Sequence, residues 1–405
     1  MLRCAVTGCH SFAAPALALR TIVSPPPRSS SVPVDTIPFT LRDGHVLVRA
    51  VVGGNAALMI LDTGSSTSTL STQWAAAHPV RLMPSPVPVK GTGDLHVSLG
   101  TVDTLQVGRI TLTSEIVAIL PLDAVSAAHG IAIDGTIGYS LFARYAVDID
   151  YVTRVLRVYE PNAYLMPNGS TVLPVELGMR IPIVRARLAA RGGAAIDARL
   201  VIDLGTSGLG VILTSPFRRA HAADFPLDAG TERPLGTGVG GVTRGRVVRL
   251  ASVELGGRSF LSPTAGYSDT TAGFLGVEWA DGTVGAPILS RGSLVLDYPH
   301  RQVTLLPGAS ADEPFSYDAS GLTLAAVAPS FDQVSVEHIV AHSPAYEAGV
   351  EVGDILIAVD GEPVTGATLD VVQATLRTAG AEPVLDLSRG GQNRHVRIQL
   401  RELVR

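Results

Sequence analysis

Apolar positions come in short runs broken by glycine, proline and polar turns, a pattern of many short strands rather than long helices. In "VLVRAVVGGNAALMILDTGSS" (46–66) two apolar runs flank Gly53-Gly54, and Asp62 stands at the end of the second. "PIVRARLAARGGAAIDARLVIDLGTSG" (182–208) has the same order, with Gly192-Gly193 at the turn and Asp203 at the end. A second pair follows downstream, "DGTIGYSLFARYAVDIDYVTRVLRVYEP" (134–161) and "DGTVGAPILSRGSLVLDYPHRQVTLLPG" (281–308). Gly138 to Asp150 and Gly285 to Asp297 are both twelve residues, and Asp62 to Gly138 is 76 where Asp203 to Gly285 is 82. The chain therefore contains a tandem duplication. From about residue 316 the texture changes to strand runs mixed with two short helical patterns, which predicts a separate α+β domain.

A carboxylate at the end of an apolar strand is costly to bury unless it is hydrogen-bonded or has a chemical task. The duplication supplies two of them in one chain. Composition narrows the task. At 405 residues there is room for about three domains of roughly 150 residues. The net charge of −5 comes without a basic block, which speaks against nucleic acid as a partner. No run of eighteen apolar residues is present that would span a membrane as a helix. Cys4 and Cys9 are the only cysteines, so the folded body has no disulfide framework and no cysteine metal site. Near them, Ala16-Leu17-Ala18 could be a signal-peptidase site, and Val6-Thr7-Gly8-Cys9 resembles a lipoprotein box. A disordered tail explains the same segment equally well, so export to a bacterial periplasm or a lipid anchor is the expectation, with a cytoplasmic location left open. "SPPPRSSSVP" reads as an extended linker.

Four linked motifs carry a family resemblance: Asp62-Thr63-Gly64, Asp203-Leu204-Gly205, Ile137-Gly138 and Val284-Gly285. Over about residues 36–308 the chain resembles the aspartic proteases, more closely retropepsin-like bacterial members than long pepsins. The resemblance implies a mostly β fold of two tandem, closed-barrel-like lobes related by a pseudo-twofold axis. It also implies a catalytic pair, Asp62 and Asp203, acting on a shared water without metal or cofactor, on a polypeptide substrate. Two carboxyl groups about 3 Å apart cannot both ionise, so such a pair shares one proton. Gly64 and Gly205 let the backbone turn beneath the carboxylates. Ser65 and Thr206 match the position whose hydroxyl reaches the outer carboxylate oxygen in pepsin-like enzymes. Since one chain supplies both aspartates, a monomer suffices for catalysis.

Leu204 departs from the pattern. In the family the Thr of each loop reaches across to the other lobe; Thr63 can do so, Leu204 cannot. The lost hydrogen bond is worth about 1 kcal/mol, and Leu204→Thr restores it unless Leu204 fills an apolar pocket of its own. Rival sites fare worse. Asp150-Tyr151 and Asp297-Tyr298 are also matched but read as hairpin turns. "GTGVGG" (236–241) fits a dinucleotide fingerprint but precedes an alternating strand rather than a helix. Its place suggests a flap hairpin with Gly236, Thr237 and Gly238, and Gly91, Thr92 and Gly93 hold the corresponding place in the first lobe. His338 and His342 lie on an apparent strand, where a spacing of four makes no metal pair. "GTSGLG" around Ser207 is not a nucleophile elbow.

The last segment resembles a PDZ domain. Ser343 and Pro344 open a short helix, Gly349 ends it, and "GDILIAVDG" (353–361) follows. The resemblance implies that a peptide adds as a strand along Gly321, Leu322, Thr323 and Leu324, facing a helix that starts near Thr368, with protein C-termini as candidate ligands. The predicted division is a leader and linker at 1–35, lobes at 36–165 and 166–310, and a PDZ domain at 316–405. The expected function is an aspartic endopeptidase with peptide recognition. The competing reading is a catalytically silent protein whose cleft and groove only grip peptides.

Overall fold

The computed structural model describes residues 32–84, 87–90, 94–238 and 241–404. The leader motifs and Gly91, Thr92 and Gly93 lie outside the described residues.

The first lobe is built around β1 (His45–Val52), β2 (Asn55–Leu61), β3 (Ser68–Ser71), helix α1 (Asp123–His129) and β4 (Gly135–Ile137). Gly53 and Gly54 turn β1 into β2 with positive φ of 54° and 85°, a conformation that costs glycine little. β4 then slots between its neighbours, parallel to β2 with Ile137 opposite Leu61, and antiparallel to β3 with Gly135 opposite Leu70. The hairpin β5 (Ala146–Asp150) and β6 (Val155–Tyr159) completes the lobe.

The second lobe repeats this order. β7 (Ile181–Ala189) and β8 (Ala195–Ile202) form the first hairpin, and β9 (Val211–Leu213) follows the loop after Asp203. The long hairpin β10 (Thr231–Gly238) and β11 (Gly241–Arg249) comes next, then β12 (Gly282–Val284), β13 (Gly292–Asp297) and β14 (Gln302–Pro307). β12 lies parallel to β8 and antiparallel to β9, as β4 does to β2 and β3. β1 and β7 also share a burial pattern, four buried positions followed by alternation, because the same face of each strand meets the core.

A six-stranded sheet joins the lobes, in the order Asp35–Pro38, β6, β5, β13, β14, Thr171–Pro174. β5 and β13 pair antiparallel at its centre, with Ala146 opposite Asp297 and Asp150 opposite Ser293. Asp150 caps its own hairpin, accepting the Val152 and Thr153 N–H groups at 3.1 and 3.2 Å, which is the turn role expected of it. One apolar core runs through both lobes, from Val46 and Leu61 to Leu204 and Leu294.

The C-terminal domain has its own core, with Leu324, Val336, Leu356 and Leu387 at its centre. Its edge strand β15 (Leu322–Ala326) pairs with β16 (Val334–Ile339), and α2 (Leu369–Leu376) lies beside β15. Ser343 accepts the Tyr346 N–H at 3.3 Å at the start of the short helix, and Gly349 follows it with φ of 74°. The fold is mostly β throughout. Two lobes and an α+β domain match the expected class.

Candidate active site

Asp62 and Asp203 each follow directly on a central strand, and each is pinned by the strand that crosses behind it. The Asp62 N–H donates to the Ile137 carbonyl and the Asp203 N–H to the Val284 carbonyl, both at 3.0 Å. Gly138 and Gly285 let this crossing happen: a Cβ on Gly138 would stand 2.6 Å from the Thr67 carbonyl oxygen, and one on Gly285 2.5 Å from that of Thr206.

The two loops meet tip to tip. A Cβ on Gly64 would lie 2.6 Å from Oδ1 of Asp203, and one on Gly205 would lie 2.8 Å from Oδ1 of Asp62. Each glycine thus lies against the other lobe's carboxylate. Its own aspartate is held too, since Gly64 N–H donates to Asp62 Oδ1 and Gly205 N–H to Asp203 Oδ1, both at 2.9 Å. Burial raises both carboxyl pKa values, and Asp62 reaches about 7 through burial and the charge of Asp203. One proton therefore stays on the pair well above the usual carboxylate range.

The loops are not equivalent. The Thr206 hydroxyl donates to Asp203 Oδ2 at 2.8 Å. Ser65, expected to do the same for Asp62, instead donates to the Thr67 carbonyl at 2.6 Å. The turn after Ser65 brings that carbonyl within reach, and a neutral acceptor captures the hydroxyl. Asp203 thus has one more donor to its charged form than Asp62 has.

The lock between lobes is asymmetric as well. Thr63 donates to the Ile202 carbonyl at 2.7 Å and accepts the Leu204 N–H at 3.0 Å. Leu204 keeps its backbone part of the lock, while its side chain, 1% exposed, belongs to the shared core. Of the two readings the sequence left open, the structure shows the packed one: the leucine is a packing element.

Gly236, Thr237 and Gly238 end β10, and Gly238 pairs with Gly241 across the hairpin, so this segment does form a β-hairpin over the site. A cavity of about 1100 Å3 runs beneath it, lined among others by Asp203, Gly64, Gly238, Leu322 and Arg377. The cavity reaches from Asp203 to β15 of the C-terminal domain. That domain is docked. Arg42 donates to the Ala367 carbonyl and pairs with Asp370 at 3.3 Å, Arg377 pairs with Asp43, and Arg233 pairs with Asp318 at 2.6 Å.

Around the expected peptide groove, Gly321 N–H donates to Asp318 Oδ2 at 2.8 Å and Leu322 N–H to the Ser320 hydroxyl at 3.0 Å. Both amides are internally engaged. Thr323 and Leu324 line the cavity on β15. The sequence reading missed Asp318, His45 and His129, none of which stands in a motif.

Residues 48–141 match the aspartyl protease family and residues 335–389 match the PDZ domain family. The chain carries an aspartyl-protease domain and a PDZ domain. Among solved structures, the protease domain is similar to a retropepsin-like aspartic protease from Rickettsia conorii, at 19% identity over 31% of this chain and 90% of that one, with a TM-score of 0.24. The PDZ domain is similar to that of HtrA3 bound to a phage-derived ligand (FGRWV), at 22% identity over 20% of this chain and 80% of that one, with a TM-score of 0.18. A search of curated proteins returns no match.

Proposed function

We propose that the chain is an aspartic endopeptidase in which Asp62 and Asp203 activate one water, and that its PDZ domain grips part of the polypeptide substrate. The observation that carries the reading is the reciprocal contact of Gly64 with Asp203 and of Gly205 with Asp62 across the lobe boundary. Asp203, with the Thr206 hydroxyl and the Gly205 N–H as donors, is the ionised member and the general base. Asp62 holds the shared proton. The water oxygen attacks the peptide carbonyl carbon as its proton passes to Asp203, while Asp62 protonates the carbonyl oxygen. Collapse of the tetrahedral species then breaks the C–N bond, with the proton on Asp203 delivered to the leaving nitrogen and the hydroxyl proton returned to Asp62. No covalent enzyme intermediate forms.

The hairpin β10–β11 covers the substrate, and β15 offers an edge strand for peptide addition at one end of the same cavity. The test is digestion of a reduced, carboxymethylated protein by the wild type and by Asp62→Ala between about pH 3 and 8. Cleavage that Asp62→Ala abolishes, with specific activity unchanged on dilution, supports the reading and a monomeric enzyme. Tight binding without cleavage by the wild type establishes the silent peptide-binding alternative in its place.

A further inference from the structure

One buried polar cluster crosses between the lobes beside the aspartates. His45 opens β1 and His129 closes α1, and they are 8% and 7% exposed. They form a chain of three contacts. His129 Nδ1 lies 2.8 Å from the Val125 carbonyl oxygen, His129 Nε2 lies 2.9 Å from His45 Nδ1, and His45 Nε2 lies 3.0 Å from the carbonyl oxygen of Gly205. The far end of the chain is the lobe-2 catalytic loop itself.

Both ends of the chain are carbonyl oxygens, which only accept. His129 Nδ1 and His45 Nε2 must therefore each carry a proton. The contact between the rings needs one more, on one of the two facing nitrogens. Three hydrogen bonds thus require three protons on two imidazoles, one more than two neutral rings possess.

Charged groups of both signs surround the pair. Around the pair are Arg42, which ends the strand before β1, Asp43 in the turn after it, Asp370 and Arg377 from α2 and its end, Arg233 from β10, Asp318 and Asp203. The three arginines pair with the three outer aspartates.

The duplication shows what the histidine does for the first lobe alone. With Val48-Arg49-Ala50 aligned on Val184-Arg185-Ala186, His45 stands where the second lobe has Ile181. Leu204 likewise stands where the first lobe has Thr63. The second-lobe catalytic loop has no counterpart of the Thr63 side-chain bond, and the first lobe makes two such bonds to it, Thr63 to Ile202 and His45 to Gly205.

We propose that His45 is a positioning residue for the catalytic loop of lobe 2, holding it through the Gly205 carbonyl, and that the His45–His129 pair completes this hold by taking up one shared proton. The proposal rests on the endopeptidase reading for its effect on catalysis, and on geometry alone for the proton. Burial and the neighbouring His129 lower His45 to about 4, and burial lowers His129. The third proton is therefore acquired on the acid side of neutrality. Above that range the pair has two protons for three contacts, and the Gly205 loop is held less firmly.

The test compares wild type, His45→Gln and His45→Leu on a reduced, carboxymethylated protein across about pH 3 to 8. Gln places an amide donor near the Nε2 position; Leu places none. His45→Leu should lower kcat by about tenfold or more, with KM within about twofold. His45→Gln should recover most of the acid-pH kcat and lose the histidine ionisation from the neutral-side limb. A leucine variant with wild-type kcat, or a folded glutamine variant as poor as leucine, overturns the positioning role. Independently, 15N NMR of the wild-type imidazoles should show the two rings together gaining one proton between about pH 7 and 3. Two rings that titrate separately, or neither gaining a proton, overturn the shared proton. His45→Gln and the NMR titration decide the matter even where His45→Leu does not fold. Absence of cleavage by the wild type would count against the endopeptidase reading, and the NMR titration would still decide on the pair.

Discussion

Thr206 and Ser65 occupy matching positions and do different work, which makes their substitutions diagnostic. The Thr206 hydroxyl favours the ionised form of Asp203, so Thr206→Ala should move the acid limb of kcat/KM upward, by up to about one pH unit, equivalent to about 1.4 kcal/mol. Ser65→Ala should leave that limb in place, because the Ser65 hydroxyl is spent on the Thr67 carbonyl. Equal shifts in the two variants would show that Ser65 reaches Asp62 during catalysis. Leu204 is decided by packing. At 1% exposure within the common core, its replacement by Thr removes buried apolar contacts and should cost about 2–5 kcal/mol, the range for truncating a core leucine. A melting temperature that rises in Leu204→Thr would show instead that the cross-lobe hydrogen bond outweighs the cavity.

Between elements, the PDZ domain is held by charged pairs that bridge long stretches of chain. Arg233 on β10 is 4% exposed and pairs with Asp318, which also holds the Ser320 and Gly321 amides. Asp318→Asn leaves a buried guanidinium without its counter-charge and should cost about 3–5 kcal/mol, the usual penalty for breaking a buried pair from one side. An unchanged melting temperature would mean that water replaces the carboxylate. These elements also mark what the sequence discloses. The strand–Asp–x–Gly units, the crossing Ile137-Gly138 and Val284-Gly285, and the Ser343 helix cap are legible because each depends on neighbours a few residues away. The diversion of Ser65 is equally local, but it turns on the geometry of one turn, which residue types do not specify. Asp318, His45 and His129 are silent in sequence because the partners that give them their roles, Arg233, the other histidine and Gly205, lie 84 or more residues distant. Leu204 is visible as a departure, but whether it is a loss or a packing element depends on the core around it.

For the whole molecule, the site sets two opposing contributions to stability as pH changes. Asp62 has its pKa raised to about 7, so between its unfolded value near 4 and that pH the folded state binds more protons, and stability falls as pH rises. His45 is lowered to about 4, so between that pH and its unfolded value near 6.5 the unfolded state binds more protons, and stability rises with pH. The two largely offset each other. Asp62→Asn removes the first, and its stability measured by denaturant should then climb from about pH 4 to 6.5 more steeply than that of the wild type. Parallel curves for the two proteins would mean that Asp62 is not the proton carrier.

The central sheet has a consequence for how such a molecule can diverge. Asp148 sits opposite Val295 at the middle of the β5–β13 pairing, on the axis that relates the lobes. In a dimer of identical first lobes that residue would face its own copy, and two carboxylates would meet inside a buried sheet. Joining the lobes in one polypeptide lifts this self-matching constraint. Each position then has a partner of a different type, and one copy can change while the other stays. The pairs Asp148 with Val295, Thr63 with Leu204 and His45 with Ile181 are differences of this kind, open to a fused chain and closed to a symmetric one.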